Sequence, residues 1–310
     1  MLDDEIQPIV QLMNAAPGPP AHEIPVHQAR AAHDRETQIM SGPGEEVAEV
    51  RRLEAPGPAG PVPIRLYRPR GAEPGARLPL VAYFHGGGWT IGTLDGFDPL
   101  CRALANASGL LIASVDYRLA PEHPFPAAPD DARAAVRWLA GEAQALGAAP
   151  GRLAVAGDSA GANLATVTAR RLRDEGGPPI RFQALIYPVT DSALNTPSYR
   201  EKGDGFGLSA ATMARYWRFY LDGADGRHPD ASPLQADLAG LPPTFILTVE
   251  DDVLRDEGES YANALEAAGV PVTLRRYDGP IHGFFRWLAK ASVARRAVDD
   301  VAAALREGLA

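Results

Sequence analysis

The sequence predicts an α/β fold in which helices cover both faces of a mostly parallel sheet. Helical patterns, notably at 127–146 and 159–174, separate a series of apolar runs that are too short for helices. These runs do not alternate with polar residues, which is typical of strands buried on both faces of a sheet. They lie at residues 80–84, 110–115, 153–156, 184–187 and 245–249. Strands of this kind with helices between them form parallel sheets.

Size and charge restrict the class of protein further. The chain has 310 residues, of which 45% are hydrophobic, enough for one large α/β domain. A net charge of −9 disfavours a phosphate-binding surface, so nucleic acid is not an expected partner. The single cysteine, Cys101, excludes an intramolecular disulfide and a cysteine-rich metal site, and we expect a buried thiol on a helix.

The first forty residues predict two helices. Ile6, Ile9, Val10 and Met13 recur at helical spacing, and a second helical segment is expected near 25–40. The chain begins with neither the basic segment nor the apolar run of a secretory signal, and no stretch has the apolar length of a membrane span. The expectation is therefore a cytoplasmic protein without stable membrane insertion.

The outer strands have a different pattern from the central ones. Val62, Ile64 and Leu66 alternate with more polar neighbours, so we predict a half-exposed strand paired with residues 46–53. A last strand near 272–277, followed by a C-terminal helix, completes the sheet.

One long segment, between Tyr187 and Phe245, contains no convincing strand. An insertion after a central strand, at the edge where α/β sheets bind ligands, is typical of a lid. We therefore expect one catalytic domain at 46–310, with a small helical cap formed by residues 1–45 and by an insertion at about 190–225.

A G-x-S-x-G sequence at 157–161 joins the strand at 153–156 to a helix. In such a turn the glycines allow a sharp strand-to-helix corner that exposes the serine hydroxyl above the helix N-terminus. Ser159 is thus the candidate nucleophile. Its neighbour Asp158 is interpreted as a carboxylate that stabilises the turn, and not as a catalytic acid.

A second glycine motif follows the strand at 80–84. Three consecutive glycines after His85 (Gly86, Gly87 and Gly88) leave their amides uncovered, as a site that binds an oxyanion requires. The further donor is expected to be the amide of Ala160, the residue after the nucleophile. His85 itself is assigned a structural role.

The serine needs a base, and the base needs an acid. When a nucleophile elbow provides the serine, the chain order is serine, acid, histidine, and His282 is the only histidine downstream of a suitable acid. The competing acids follow the strand at 245–249: Glu250, Asp251, Asp252, Asp256 and Glu257. Asp256 and Glu257 fit the first turn of a helix, where the dipole favours carboxylates. Spacing does not choose between Asp251 and Asp252.

Four motifs occur together in the chain: His85-Gly-Gly-Gly-Trp89, Asp116-Tyr-Arg-Leu-Ala-Pro-Glu-His123, Gly157-Asp-Ser-Ala-Gly161 and Leu254-Arg-Asp-Glu-Gly258. In this combination they resemble the hormone-sensitive-lipase-like (bacterial class IV) carboxylesterases of the α/β-hydrolase fold. The resemblance implies Asp252 as the acid, although Val253 stands where the family has proline. It also implies oxyanion donors among the three glycine amides, with Gly87 and Gly88 favoured.

The resemblance implies hydrolysis of short- to medium-chain carboxylic esters through an acyl-enzyme, with a small-molecule ester as the partner and neither cofactor nor metal. It also implies a possible homodimer through the strand near 272–277. Two alternatives stay open at this stage: an amidase or peptidase with the same three residues, and a small-molecule receptor on the same fold. The presence of His282 argues against the receptor, because the receptors of this family lack the catalytic histidine.

Overall fold

The computed structural model describes residues 1–73 and 75–310, and within these ranges one eight-stranded sheet forms the centre of the molecule. Its strands follow the order β1-β2-β4-β3-β5-β6-β7-β8. They are β1 (Glu49–Gly57), β2 (Gly60–Arg68), β3 (Leu78–Phe84), β4 (Leu111–Val115), β5 (Ala148–Asp158), β6 (Phe182–Ile186), β7 (Thr244–Asp251) and β8 (Val272–Ile281).

Nine α-helices accompany the sheet in the described part of the chain. They are α1 (Gln7–Ala15), α2 (Val26–Ser41), α3 (Asp98–Ser108), α4 (Ala127–Gly141), α5 (Ala160–Asp174), α6 (Pro197–Glu201), α7 (Ala210–Leu221), α8 (Arg255–Ala267) and α9 (Ser292–Gly308). None of them is both long and apolar enough to cross a lipid bilayer.

The prediction of a mostly parallel sheet is confirmed. β1 pairs with β2, and β2 with β4, in antiparallel fashion, whereas every pairing from β4 through β8 is parallel. The parallel strands therefore end at one common edge, and the loops that leave β3, β5, β7 and β8 meet there. A dimer through β8, the last strand in the order, stays a prediction.

Two layers of helices cover the sheet. The apolar faces of α4, α5 and α8 pack on one side, and those of α3 and α9 on the other. Cys101 lies on α3 and is fully buried, as the sequence predicts. Because both faces are covered, the central strands β4 and β6 are buried along their whole length, whereas β1 is partly exposed and alternates.

The N-terminal helices contact the segment between β6 and β7. That segment contains α6 and α7 and, in the described chain, no strand. The side-chain amide of Asn14 donates to the carbonyl of Gly205 (3.0 Å), and Arg215 donates to the carbonyl of Ala21 (2.9 Å). These contacts join the two parts of the chain that the sequence assigns to a cap. The division into residues 1–45 and 46–310 stays a prediction.

Candidate active site

Ser159 occupies the corner between β5 and α5. Its backbone has φ 56° and ψ −121°, a left-handed conformation that side chains other than glycine rarely adopt. The amide of Ser159 donates to the carbonyl of Ile186 on the neighbouring strand (2.8 Å), which holds the corner against the sheet. Backbone strain of this kind costs about 1 to 3 kcal/mol and persists where the surroundings enforce it.

The two glycines of the motif are required because backbone carbonyl groups lie very close to them. A Cβ at Gly161 would lie 1.9 Å from the carbonyl oxygen of Phe84, and one at Gly157 would lie 2.4 Å from the carbonyl of Gly161. Both distances are far below van der Waals contact. Only hydrogen fits at either position, so the start of α5 can pack directly on the end of β3.

His282 stands within hydrogen-bond distance of the serine. It follows the last residue of β8, and its Nε2 lies 3.0 Å from the Oγ of Ser159. The imidazole is largely buried and packs against the ring of Tyr187, with centroids 4.4 Å apart. Gly283, with φ 86°, turns the chain immediately after it. Packing against Tyr187 and the turn at Gly283 thus restrict the position of the ring beside Ser159.

Asp252 contacts the other nitrogen of the same ring. Its Oδ2 lies 2.7 Å from Nδ1 of His282, and its Oδ1 accepts the amide of Leu254 (2.9 Å). The carboxylate is fully buried. An ionised carboxylate in this position favours the tautomer with the proton on Nδ1, which leaves Nε2 free to accept a proton from the serine.

Asp251 faces a different part of the molecule. Its carboxylate forms an ion pair with Lys202 from the insertion between β6 and β7, at 2.6 Å, and is also largely buried. Asp251 is the last residue of β7, and its side chain leaves the strand in another direction from that of Asp252. Of the two aspartates that the spacing left open, Asp252 is the one beside His282.

The glycine loop lies over this corner with two unoccupied amides. In the described chain, the amides of Gly87 and Gly88 have no hydrogen-bond acceptor, whereas that of Gly86 donates to Oδ1 of Asp158 (2.9 Å). The amide of Ala160, in the first turn of α5, has no partner within the helix. The expected set of donors is thus reduced to Gly87, Gly88 and Ala160, because the Gly86 amide is already used.

Asp158 connects the glycine loop to the corner at Ser159. Besides the Gly86 amide, its Oδ1 accepts the hydroxyl of Tyr83 (2.8 Å). Burial raises the pKa of Asp158, against the lowering influence of these donors and of the Arg286 charge. The side chain faces the loop and not His282, which agrees with its interpretation as a turn-stabilising group.

His85 is part of the packing beneath the loop. Its ring stacks on Tyr117 and contacts Phe97, and it is completely buried. Burial lowers the pKa of His85 to about 4, so the ring is neutral at ordinary pH. The Tyr117 hydroxyl donates to the His85 carbonyl (2.7 Å). These contacts fix the backbone from which the glycines project, the structural role that the sequence suggests.

Glu257 has an environment that the sequence does not reveal. It lies in the first turn of α8 as expected, but it is fully buried, and its Oε1 accepts the amide of Thr190 (2.7 Å). The hydroxyl of Thr190 also donates to the Glu257 carbonyl (2.9 Å). Burial raises the pKa of Glu257 to about 8. The helix after Asp252 is thus connected to the loop after β6 through a carboxyl group that is mainly protonated at neutral pH.

Glu257→Gln is expected to flatten the pH dependence of stability. Below its ordinary pKa of 4.5, Glu257 is protonated in both folded and unfolded chains; as the pH rises toward about 8, only the unfolded chain releases the proton, so the wild type loses stability. The loss is at most about 1.4 kcal/mol per pH unit from this group. Urea unfolding at a series of pH values measures it. Glu266→Gln, on the exposed face of α8, is the control, and equal slopes for wild type and Glu257→Gln would contradict the assignment.

A cavity of about 250 Å³ opens above Ser159 and His282. The N-terminal helices, the glycine loop and α7 form its walls, and most of the lining residues are apolar. Leu208 and Tyr216, from the segment between β6 and β7, are among them, whereas Trp217 packs against Trp89 and Tyr220. The sequence does not identify four further polar residues of the wall: His33, Glu36, Thr212 and Arg286.

No metal centre is found in the part of the chain that the structure describes. Nowhere in it do three or more histidine, cysteine, aspartate or glutamate side chains converge as ligands. The chemistry available at the site is that of a hydroxyl, an imidazole, a carboxylate and free backbone amides.

Comparisons with known proteins find similar chains over most of the length of this one. A family model described as the alpha/beta hydrolase fold matches residues 81–286. Carboxylesterase NlhH of Mycobacterium tuberculosis is 44% identical over 253 residues, covering 80% of this chain and 79% of its own. Ethyl acetate hydrolase of Pseudomonas putida is 38% identical over 296 residues, covering 94% and 92%.

Solved structures are similar over the whole length. A hyperthermophilic esterase from Pyrobaculum calidifontis has a TM-score of 0.93 at 40% identity, covering 100% of this chain and 99% of that one. An ester hydrolase from the metagenome of Lake Arreo has a TM-score of 0.95 at 42% identity, covering 99% of each. The similarity therefore includes the N-terminal helices as well as the sheet.

Proposed function

Because the chain belongs to the α/β-hydrolase family and is a carboxylic-ester hydrolase, we propose that it cleaves short- to medium-chain esters through Ser159, His282 and Asp252. One observation carries the assignment of residues. The Oγ of Ser159, the two ring nitrogens of His282 and the carboxylate of Asp252 form a continuous line with successive distances of 3.0 and 2.7 Å.

In the first step Ser159 Oγ attacks the ester carbonyl while Nε2 of His282 takes its proton. The imidazolium that forms carries a positive charge on a largely buried ring. Asp252 stabilises that charge through Nδ1 and keeps the ring in the orientation that faces the serine. The amides of Gly87, Gly88 and Ala160 donate to the carbonyl oxygen as it becomes an anion.

The second half of the reaction uses the same groups in reverse. His282 passes its proton to the alcohol oxygen, the alcohol leaves, and the acyl group stays on Ser159. A water molecule then acts as the second nucleophile: His282 accepts its proton as the water oxygen attacks the acyl carbonyl. His282 returns that proton to Ser159 Oγ as the bond to the acyl group breaks and the carboxylic acid departs. The oxyanion donors serve both tetrahedral intermediates without rearrangement.

The preference for short to medium chains is expected from the cavity. A volume of about 250 Å³ with mainly apolar walls holds a limited number of methylene groups. Each buried methylene contributes about 0.8 kcal/mol until the cavity is full. Across p-nitrophenyl esters from acetate to palmitate, kcat/KM is thus expected to peak at short or medium length and then fall. A maximum at palmitate would contradict this substrate class.

A comparison of ester and amide substrates distinguishes an esterase from the amidase alternative. Matched p-nitrophenyl and p-nitroanilide derivatives of one acid present the same acyl group with different leaving groups. The relatives are named for ester hydrolysis, which supports faster turnover of the ester. Faster turnover of the anilide would favour the amidase. Covalent labelling of Ser159 by a fluorophosphonate would exclude a purely binding role.

A further inference from the structure

The wall of the cavity contains one buried cation. Arg286 follows His282 by four residues, is only 8% exposed and lines the same cavity as Ser159. Its Nη2 lies beside Gly283, 3.5 Å from the position that a Cβ there would occupy. A guanidinium so deep in a mainly apolar wall is costly unless acceptors surround it.

The described residues provide hydrogen-bond acceptors for only part of the Arg286 guanidinium. Nη1 donates to Thr37 Oγ1 (2.7 Å), and the Phe97 ring lies 5.6 Å from Cζ. Nη2 is 3.8 Å from Oε1 of Glu36, beyond hydrogen-bond distance. Among the described residues, neither Nε nor Nη2 has a hydrogen-bond acceptor, and neither atom is sealed from solvent.

Arginine can bind a carboxylate through two parallel hydrogen bonds from the edge formed by Nε and Nη2. Elsewhere in this chain Arg118 uses it on Asp131, with both nitrogens 2.8 Å from carboxylate oxygens, and Arg276 uses it on Glu259. The two parallel donors match the spacing of carboxylate oxygens. In Arg286 the corresponding edge meets no acceptor of the described chain.

The charged and titratable groups around Arg286 leave its open edge without a hydrogen-bonded carboxylate among the described residues. His33 lies beside it on the cavity wall, and burial, reinforced by the Arg286 charge, holds the pKa of His33 well below its usual value, so that its ring is neutral. Glu36 is the nearest carboxylate, but its side chain is 44% exposed and does not close the gap to Nη2. Asp158 also lines the cavity, but its Oδ1 accepts the Tyr83 hydroxyl and the Gly86 amide, and it has no hydrogen bond to Arg286. The edge formed by Nε and Nη2 therefore stays open to a carboxylate inside the cavity.

We propose that Arg286 binds a carboxylate carried by the ester substrate, away from the bond that is cleaved. The proposal rests on the proposed function and narrows the substrate class. It assigns the enzyme a preference for monoesters of dicarboxylic acids, or for hydroxy acids acylated on the hydroxyl group, over uncharged esters of the same shape. In the first class the carboxylate lies on the acyl side of the ester, and in the second on the alcohol side. The recognition chemistry is the same for both.

A purely structural role makes a different prediction. Through Thr37, Arg286 connects the segment after His282 to α2, and loss of that connection would disturb the cavity for every substrate. Recognition of a carboxylate, in contrast, changes only the preference between charged and uncharged esters. The ratio of kcat/KM for the two separates the roles.

The experiment uses two matched pairs of esters. Mono-p-nitrophenyl glutarate and p-nitrophenyl 5-methylhexanoate differ at the end of the acyl chain, whereas 4-carboxyphenyl butyrate and 4-isopropylphenyl butyrate differ in the leaving alcohol. In Arg286→Gln the charged-to-uncharged ratio of kcat/KM is expected to fall about 10- to 100-fold for one of the two pairs. The pair that responds shows whether Arg286 binds a carboxylate on the acyl side or on the alcohol side of the ester. Arg286→Lys keeps the positive charge but lacks the two parallel N–H donors. Its charged-to-uncharged ratio is therefore expected to lie between those of the wild type and Arg286→Gln.

Two further variants make the test specific. Glu36→Gln removes the carboxylate that competes for Nη2 and is expected to raise the ratio. Arg296→Gln, on the exposed face of α9, changes the net charge equally and is expected to leave the ratio unchanged. Titration calorimetry of Ser159→Ala with the charged ester of the responding pair measures recognition without turnover, and its affinity should weaken when Arg286→Gln is added.

A ratio within twofold of wild type for both pairs, or an equal loss on charged and uncharged esters, would overturn the carboxylate site. Failure of the wild type to hydrolyse any of the four esters would instead contradict the proposed function. The two failures are therefore distinguishable.

Discussion

Ser159→Ala and His282→Ala are each expected to lower kcat for p-nitrophenyl butyrate by about 10⁴-fold or more. Without the hydroxyl no acyl-enzyme forms, and without the imidazole nothing within hydrogen-bond distance of Oγ takes its proton. The double variant is expected to be little worse than either single one, because the two residues act as a unit. Steady-state kinetics with purified proteins measure all three.

His123→Ala is the control for this comparison, since His123 is exposed in a loop and touches neither Ser159 nor Asp252. Its turnover should stay near that of the wild type. A fluorophosphonate should label the wild type and fail to label Ser159→Ala. Near-normal turnover in Ser159→Ala or His282→Ala would refute the proposed roles of both residues.

Asp252→Asn is expected to lower kcat by about 10³- to 10⁴-fold, by analogy with the same change in serine proteases. An asparagine amide 2.7 Å from Nδ1 can donate to it, which favours the tautomer with the proton on Nε2. Nε2 then cannot accept the serine proton. The fold should be retained, because the two side chains have nearly the same shape, and circular dichroism checks this.

Asp251→Asn is the matched comparison one residue away. It removes a charge from the ion pair with Lys202 and leaves His282 untouched, so a loss in kcat of less than about 10-fold is expected. Lys202→Gln should reproduce that smaller effect, since it breaks the same pair from the other side. If Asp251→Asn is the inactive variant, the acid has been assigned to the wrong residue.

Much of the fold follows from local sequence pattern. The apolar runs at 80–84 and 245–249 correspond to β3 and β7, because strands buried on both faces must be apolar throughout. The glycine motif at 157–161 specifies the corner at Ser159, since only hydrogen fits where α5 meets β3. Such signals lie within a few residues, and no distant contact is needed to recognise them.

The features that could not be predicted from the sequence depend on the direction of side chains and on their burial. Spacing cannot say which of Asp251 and Asp252 faces His282, because adjacent side chains at a strand end point to opposite sides and the exact end of β7 is set by its pairing with β8. Nor can it show that Asp158 occupies the Gly86 amide. That hydrogen bond joins residues 72 positions apart.

Two charged residues illustrate the same limit. In the sequence, Glu257 looks like an ordinary helix-start carboxylate, and Arg286 like one of many arginines. Packing against the loop after β6 buries the first and raises its pKa, and packing of α2 against the segment after His282 places the second in the wall of the cavity. Local pattern thus supplies the elements and the nucleophile corner. Long-range packing sets the ionisation and orientation of the side chains around them, because both depend on which distant groups exclude water.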